Sequence, residues 1–222
     1  MTAMNGTLTN TKSSARFWDR MADRYSRSPI ADEASYQKRL QLTRKHLRPG
    51  MKVLEFGCGT GSTALAHAPL VDHITAIDIS RRMIEIAQGK AATAGVENVE
   101  FSNATLDDFA ASDNSYDVVL GLNILHLVSD RTEAIARVHA LLKTDGIFIS
   151  STPCLADTMK FFKLLAPLGR SLGLLPMLRV FTTQQLVDSM TAGGFKIEEQ
   201  WSPSGGKKRS LKAVFLAARK ID

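Results

Sequence analysis

The stretch Val53-Leu54-Glu55-Phe56-Gly57-Cys58-Gly59-Thr60-Gly61 constrains this 222-residue chain more than any other. An apolar run ending in three spaced glycines and then the alanine-rich Ser62–Ala68 predicts a strand that turns sharply into a helix. Glycines at such a turn let the backbone bend and approach a ligand closely. A pyrophosphate-binding turn would read G-x-G-x-x-G and seat the phosphates on the helix N-terminus. Here the third glycine is Gly61, and Ser62 occupies the place that fingerprint requires. Glu55, two residues before the first glycine, would repel a pyrophosphate and suits a cationic ligand.

The same unit then repeats. Asp72–Ile77 reads as a second strand, and Ser80–Ala94 as a helix with Ser80 as N-cap and Gly95 just past its end. Met83, Ile84, Ala87 and Ala91 give that helix its inward face. Val96–Ser102 is a third strand, Tyr116–Gly121 a fourth buried on both faces, Thr132–Leu142 a helix and Gly146–Thr152 a fifth strand. Strand and helix alternating at this spacing predict an α/β doubly wound, mostly parallel sheet. Phe195–Trp201 and Leu211–Ala218, split by the turn-rich Pro203–Gly206, add an antiparallel hairpin and bring the sheet to seven strands. The segment 12–48 reads as helical. The organisation expected is one domain over 1–222, with a helical N-terminal lid (1–48), a ligand-binding core (50–152), a helical insertion (153–194) and the hairpin (195–222).

Charge sharpens the picture. Residues 1–50 hold ten Lys/Arg and four Asp/Glu, residues 51–150 seven and thirteen, and residues 151–222 eleven and five. The core is therefore acidic at −6 between two ends of +6 each. A uniform basic face for nucleic acid is not what this distribution describes. Met1–Ser14 lacks the apolar stretch of a signal peptide, no run approaches a bilayer span, and Cys58 and Cys154 make no disulfide framework, which together read as a cytoplasmic protein.

The ordered set Glu55-Phe56-Gly57-Cys58-Gly59-Thr60-Gly61, Ala76-Ile77-Asp78-Ile79-Ser80, Ser115-Tyr116-Asp117-Val118-Val119, Asn123-Ile124-Leu125-His126-Leu127 and Leu142-Lys143-Thr144-Asp145-Gly146 resembles the class I S-adenosyl-L-methionine-dependent methyltransferases, of the small-molecule type. The last of these is similar to the family's usual K-P-G-G turn with two substitutions. The resemblance covers about residues 50–152, and it implies a Rossmann-like fold and methyl transfer from S-adenosyl-L-methionine, leaving S-adenosyl-L-homocysteine, with no metal. It also implies roles. Gly57, Cys58, Gly59 and Gly61 would run along the methionine part of the cofactor, and Glu55 would orient that loop and attract the ammonium. Asp78 would accept both ribose hydroxyls, Ile79, Met83 and Leu106 would enclose the adenine, and the backbone at Leu122 and Asn123 would take the ammonium. Relatives usually carry an acid where this chain has Thr105, so Thr105 and the Leu106 N–H are the expected adenine contacts, with Asp107 or Asp108 as substitutes.

Other residues invite both a bland and a sharp reading. His126 follows a buried strand, where it serves either as packing or as a general base toward the methyl acceptor. Tyr25, in an F-W-D-x-x-A-x-x-Y opening similar to that of relatives, is either a helix-face aromatic or a flap over the cofactor. Phe161, Leu164, Leu165, Leu168 and Leu172 form an apolar stripe within Asp157–Val180 that suits a lid over the acceptor pocket, or else a membrane surface. Lys207-Lys208-Arg209 reads as a solvated hairpin loop. Basic ends closing over a pocket suggest a small-molecule acceptor that is anionic or membrane-proximal, whose reactive atom is carbon, nitrogen or oxygen. No N-P-P-[YFW] signature of DNA amino-methylation is present. An aminopropyl transferase, or a non-catalytic cofactor-binding or membrane-surface protein, is the alternative.

Overall fold

The computed structural model describes residues 2–158, 178–203 and 213–221. Two N-terminal helices, α1 (Thr2–Arg27) and α2 (Glu33–Arg44), precede the core. The helical segment expected over 12–48 is built from these two helices. Pro29 disfavours helix at Ser28, and Asp32 restarts it by capping the Ser35 N–H at 3.0 Å.

The core runs β1 (Lys52–Phe56), α3 (Ser62–His67), β2 (His73–Asp78), α4 (Arg81–Ala94), β3 (Val99–Asn103), β4 (Tyr116–Leu122), α5 (Arg131–Leu141) and β5 (Leu142–Pro153). The short α6 (Leu155–Thr158) and then α7 (Thr183–Ala192), β6 (Phe195–Trp201) and β7 (Ala213–Lys220) follow. The seven strands lie in the order β3-β2-β1-β4-β5-β7-β6, with β7 antiparallel to both its neighbours and the pairings among β1–β5 all parallel. This is the expected α/β doubly wound Rossmann-like sheet, with the hairpin at one edge and its second strand on the inside.

Alternation along the strands sends side chains to two cores. Leu54, Phe56, Val119, Phe148 and Leu216 pack under α5 and α7 with Ile135, Val138 and Leu186. Val53, Ile74, Val118, Ile149 and Phe215 pack under α3 and α4 with Ala64, Ile84 and Ala87. Ser80 caps α4 by accepting the Met83 N–H, and Gly95 ends it at φ 64°, both as the sequence predicts. Strand boundaries move: β3 starts at Val99 rather than Val96, β7 runs on to Lys220, and β5 begins at Leu142, directly after α5, where Leu142 pairs with Tyr116 before a register shift and Asp145 turns the chain at φ 59°.

The strand order reverses between β1 and β4, and in a doubly wound sheet the C-terminal ends of the strands at that point, here β1, β2 and β4, border the ligand cleft. The apolar stripe at Phe161–Leu172 and the Lys207-Lys208-Arg209 loop lie outside the described residues.

Candidate functional site

The three glycines after β1 serve different ends. Gly57 (φ 67°) lies under Ile124, whose Cδ1 would be 2.6 Å from a Cβ added there. Gly61 (φ 75°) caps α3, where an added Cβ would meet Phe101 Cζ at 2.7 Å and Ala87 Cβ at 2.8 Å. Gly59 (φ 55°) is different: a Cβ there would have only Tyr25 Cε1, at 4.0 Å. Two glycines are therefore required by the protein's own packing, and the middle one borders open space.

The loop is pinned from β2. The Gly59 N–H donates to Asp78 Oδ2 at 2.9 Å, and the Ser80 N–H donates to Asp78 Oδ1 at 2.8 Å. Each carboxylate oxygen keeps a free lone pair. Cys58 is engaged within the protein: its N–H donates to Ile77 O, its carbonyl accepts from Gly61 N–H, and its side chain packs in the core beneath α3 and α4.

Buried acidic groups gather here, and among the described residues neither Glu55 nor Asp78 has an ion-pair partner. Glu55 is 2% exposed, and its Oε2 has no hydrogen-bond partner. Burial, and then the charge of Asp78, push its pKa up to about 8. Asp78 is 9% exposed; burial raises its pKa, the Ser80 and Gly59 N–H bonds oppose that, and Asp19 adds to it. The Tyr25 phenol is raised by desolvation and then by the charges of Asp78, Tyr36 and Glu55, although the residue as a whole is 53% exposed. Tyr25 thus borders the cleft beside Gly59, with protein close around its ring and solvent reaching it from the open side. Among the described residues no Lys, Arg or His forms an ion pair with Glu55 or Asp78.

The remaining candidates are placed as follows. Ile79 is half-buried and Met83 buried at the start of α4. Thr105 donates its hydroxyl to Asp108 Oδ2 and accepts the Asp108 N–H, both at 2.9 Å, so its hydrogen bonding is largely spent in its own turn. The Leu106 side chain lies in the core beside Ile77. Leu122 ends β4 half-buried. Asn123 adopts φ 55° and donates its N–H to Ser151 O. His126 sits in the following turn. Its Nδ1 is buried without a partner, and burial lowers its pKa to about 4. Its carbonyl accepts the Arg179 N–H, tying the far end of the insertion to the cleft.

Two residues join this site whose role the motifs around them do not reveal: Asp19, through Ser80 and Asp78, and Ile124, over Gly57. Arg39 lies on the stripe of α2 that carries Ser35 and Leu42, and is half-buried with no hydrogen bond or ion pair among the described residues. Tyr36, one turn before it, lies near enough to act electrostatically on both Arg39 and Tyr25.

A glycine loop after the first strand of a doubly wound sheet, closed by an acid from the second, defines a nucleotide-type cofactor domain. Residues 47–204 match the methyltransferase domain family, and the chain belongs to it. It is 34% identical over 110 residues to the uncharacterized methyltransferase YcgJ of Bacillus subtilis (strain 168), covering 50% of this chain and 44% of that one. A ubiquinone biosynthesis O-methyltransferase of Azorhizobium caulinodans is 30% identical over 164 residues, covering 70% of this chain and 63% of that protein. The chain spans about half the length of the curated relatives it matches, from 41% to 63%. Among solved structures, the geranyl diphosphate C-methyltransferase of Streptomyces coelicolor A3(2) shares the fold at TM-score 0.73 and 13% identity, covering 96% of this chain and 98% of that one. The B. subtilis YcgJ structure does so at TM-score 0.70 and 22% identity, covering 84% of this chain and 99% of the other.

Proposed function

We propose that this protein transfers a methyl group from S-adenosyl-L-methionine to a small-molecule acceptor. The observation that carries this reading is the pairing of buried Glu55 and Asp78 beside open Gly59, neither of them ion-paired among the described residues. A ligand bearing an ammonium and a sulfonium complements these two acids, and a pyrophosphate would be repelled by them. Family membership and the O-methyltransferase relatives support the same chemistry.

When bound, the cofactor offers a methyl already activated on sulfur, so the protein's work is alignment and exclusion of water. On this reading Asp78 accepts the two ribose hydroxyls with its remaining lone pairs, and Glu55 holds the ammonium. Gly59 leaves room for the methionine chain, the Leu106 N–H faces the adenine edge with Asp107 or Asp108 in place of the occupied Thr105 hydroxyl, Leu122 and Asn123 line the methionine end, and Tyr25 covers it. Arg39, unpaired among the described residues and next to Tyr36, which in turn acts on Tyr25, is an α2 cation available to an anionic group, either the carboxylate of the cofactor or an anion on the acceptor. The lid role of 1–48 and of the insertion, and an anionic or membrane-proximal acceptor, belong to this reading.

His126 is the residue for proton removal from the acceptor. A base with a pKa near 4 takes a proton as the new bond forms, when the acceptor's own acidity rises steeply, rather than beforehand. Among the described residues no helix is long and apolar enough to cross a membrane.

The test is incubation with isotopically labelled S-adenosyl-L-methionine and a fractionated metabolite extract, followed by mass identification of the labelled product. A labelled small molecule that requires the protein, and that disappears with Asp78→Ala, supports the reading. Aminopropyl transfer from the decarboxylated donor supplied in parallel, with no methyl transfer from S-adenosyl-L-methionine, or no label transferred while the protein binds vesicles, favours the alternatives.

A further inference from the structure

The opening Phe17-Trp18-Asp19 contains a carboxylate with an unexpected target. Asp19 Oδ1 accepts the Ser80 hydroxyl at 2.7 Å and the Arg82 N–H at 3.1 Å. One helix turn later, Asp23 takes the Arg82 guanidinium in a two-pronged pair at 2.8 and 3.2 Å. The N-terminus of α4 is therefore capped twice, by Ser80 from its own chain segment and by Asp19 from α1.

The connection continues into the cleft. With its proton committed to Asp19, the Ser80 hydroxyl turns a lone pair to the Met83 N–H at 3.1 Å. The Ser80 backbone N–H then holds Asp78 Oδ1 at 2.8 Å. Asp78 Oδ2 holds the Gly59 N–H. Asp19, Ser80, Asp78 and Gly59 form one line of hydrogen bonds from the N-terminal helix to the middle glycine of the loop.

We propose that Asp19 is a positioning residue for the cofactor site, acting through Ser80 to set the orientation of the Asp78 carboxylate, so that docking of α1 and cofactor binding reinforce each other. This rests on the reading that Asp78 takes the cofactor ribose. By linkage, whatever factor α1 docking contributes to cofactor affinity, the cofactor returns to α1 docking. The charged and titratable groups facing Asp78 are Glu55 from β1, Tyr25 and Asp19 from α1 and Cys58 from the loop. Arg82 on α4 is turned to Asp23 and Glu85. Asp19 is the one of these whose charge raises the Asp78 pKa and whose side chain also bonds Ser80.

The experiment is calorimetric titration of S-adenosyl-L-homocysteine from pH 5 to 8 into wild type, Asp19→Asn, Asp19→Ala and Asp23→Ala. Asparagine keeps the acceptor oxygen and removes the charge. Asp19→Asn is expected to bind within about twofold of wild type at pH 7.5, with its acid-side loss of affinity moved to lower pH. Asp19→Ala is expected to bind about tenfold more weakly. Asp23→Ala, which loosens α1 without touching Ser80, is expected to keep the wild-type pH profile. Amide exchange in α1 should slow on ligand binding in wild type and not in Asp19→Ala. Wild-type binding with unchanged affinity and pH profile in both Asp19 variants overturns the positioning role alone. No binding by folded wild type overturns the cofactor reading and this proposal with it.

Discussion

Asp78 Oδ2 accepts the Gly59 N–H at 2.9 Å, joining the end of β2 to the middle of the glycine loop after β1. This bond holds the one loop glycine whose outer face is open, and it uses one of the carboxylate's lone pairs without exhausting the group. The same residue thus builds the loop and keeps acceptor capacity for a ligand that rests on it.

The glycines should separate in mutagenesis. Gly61→Ala drives a methyl against Phe101 and Ala87 in a left-handed turn, and should cost about 2–4 kcal/mol of folding stability from overpacking and backbone strain. Gly59→Ala has room for its methyl, so the fold should lose only about 1–2 kcal/mol from its positive φ, while S-adenosyl-L-homocysteine binding falls much further. Denaturant midpoints alongside ligand titrations measure the difference. Equal loss of stability in both variants would contradict it.

Glu55 should release a proton when the cofactor binds. Its pKa of about 8 in the free protein leaves it mostly protonated at pH 7, and an ammonium placed beside it favours the charged form. Affinity should therefore rise with pH up to about 8. Titrations at pH 7 in buffers of different ionisation enthalpy should show proton release in wild type and none in Glu55→Gln. For the free protein the sign is opposite. A carboxyl raised on folding contributes stability that is lost as pH rises from about 4.5 through 8.

His67 carries a stability cost at acid pH. It is fully buried at the end of α3, neither ring nitrogen has a partner, and burial with Arg44 nearby lowers its pKa to about 4. A histidine depressed on folding leaves stability intact above its ordinary value of 6.5 and withdraws it as pH falls from there to about 4. The full loss is about 3 kcal/mol. His67→Leu should remove that part of the acid destabilisation, read as thermal midpoints between pH 7 and 4. A wild-type slope in the variant would contradict it.

Asp145 stands at φ 59° in the turn within β5, where the similar K-P-G-G turn has glycine. Aspartate tolerates this region at a cost, so Asp145→Gly should stabilise the protein by roughly 0.5–1 kcal/mol, measured by denaturant unfolding. The carbonyl that receives Arg219 Nη1 is retained in that change.

What the sequence made legible was local. Gly57, Gly59 and Gly61 announce a turn, Ser80 and Gly95 bracket α4, and the placement of Asp78 at the end of β2 follows from a strand of that length. Thr105-Leu106-Asp107-Asp108 could also have been read locally, since a threonine three residues before an acid signals the self-contained turn that occupies its hydroxyl. The Asp19–Ser80 bond spans 61 positions, and no local pattern encodes it. Arg39 is likewise hidden among the charged residues of α2, and only packing reveals that it is half-buried. The division of the N-terminal region was signalled by Pro29 and Asp32, which periodicity alone passes over.

The most direct measurement is calorimetric titration of S-adenosyl-L-homocysteine into wild type and Asp78→Ala at pH 7.5. Stoichiometric binding by wild type is expected, with Asp78→Ala weaker by about 1.5–3 kcal/mol, the scale of charge-assisted hydrogen bonds. Equal affinity in a folded Asp78→Ala, or binding of a nicotinamide dinucleotide with none of S-adenosyl-L-homocysteine, would contradict the assignment of this cleft.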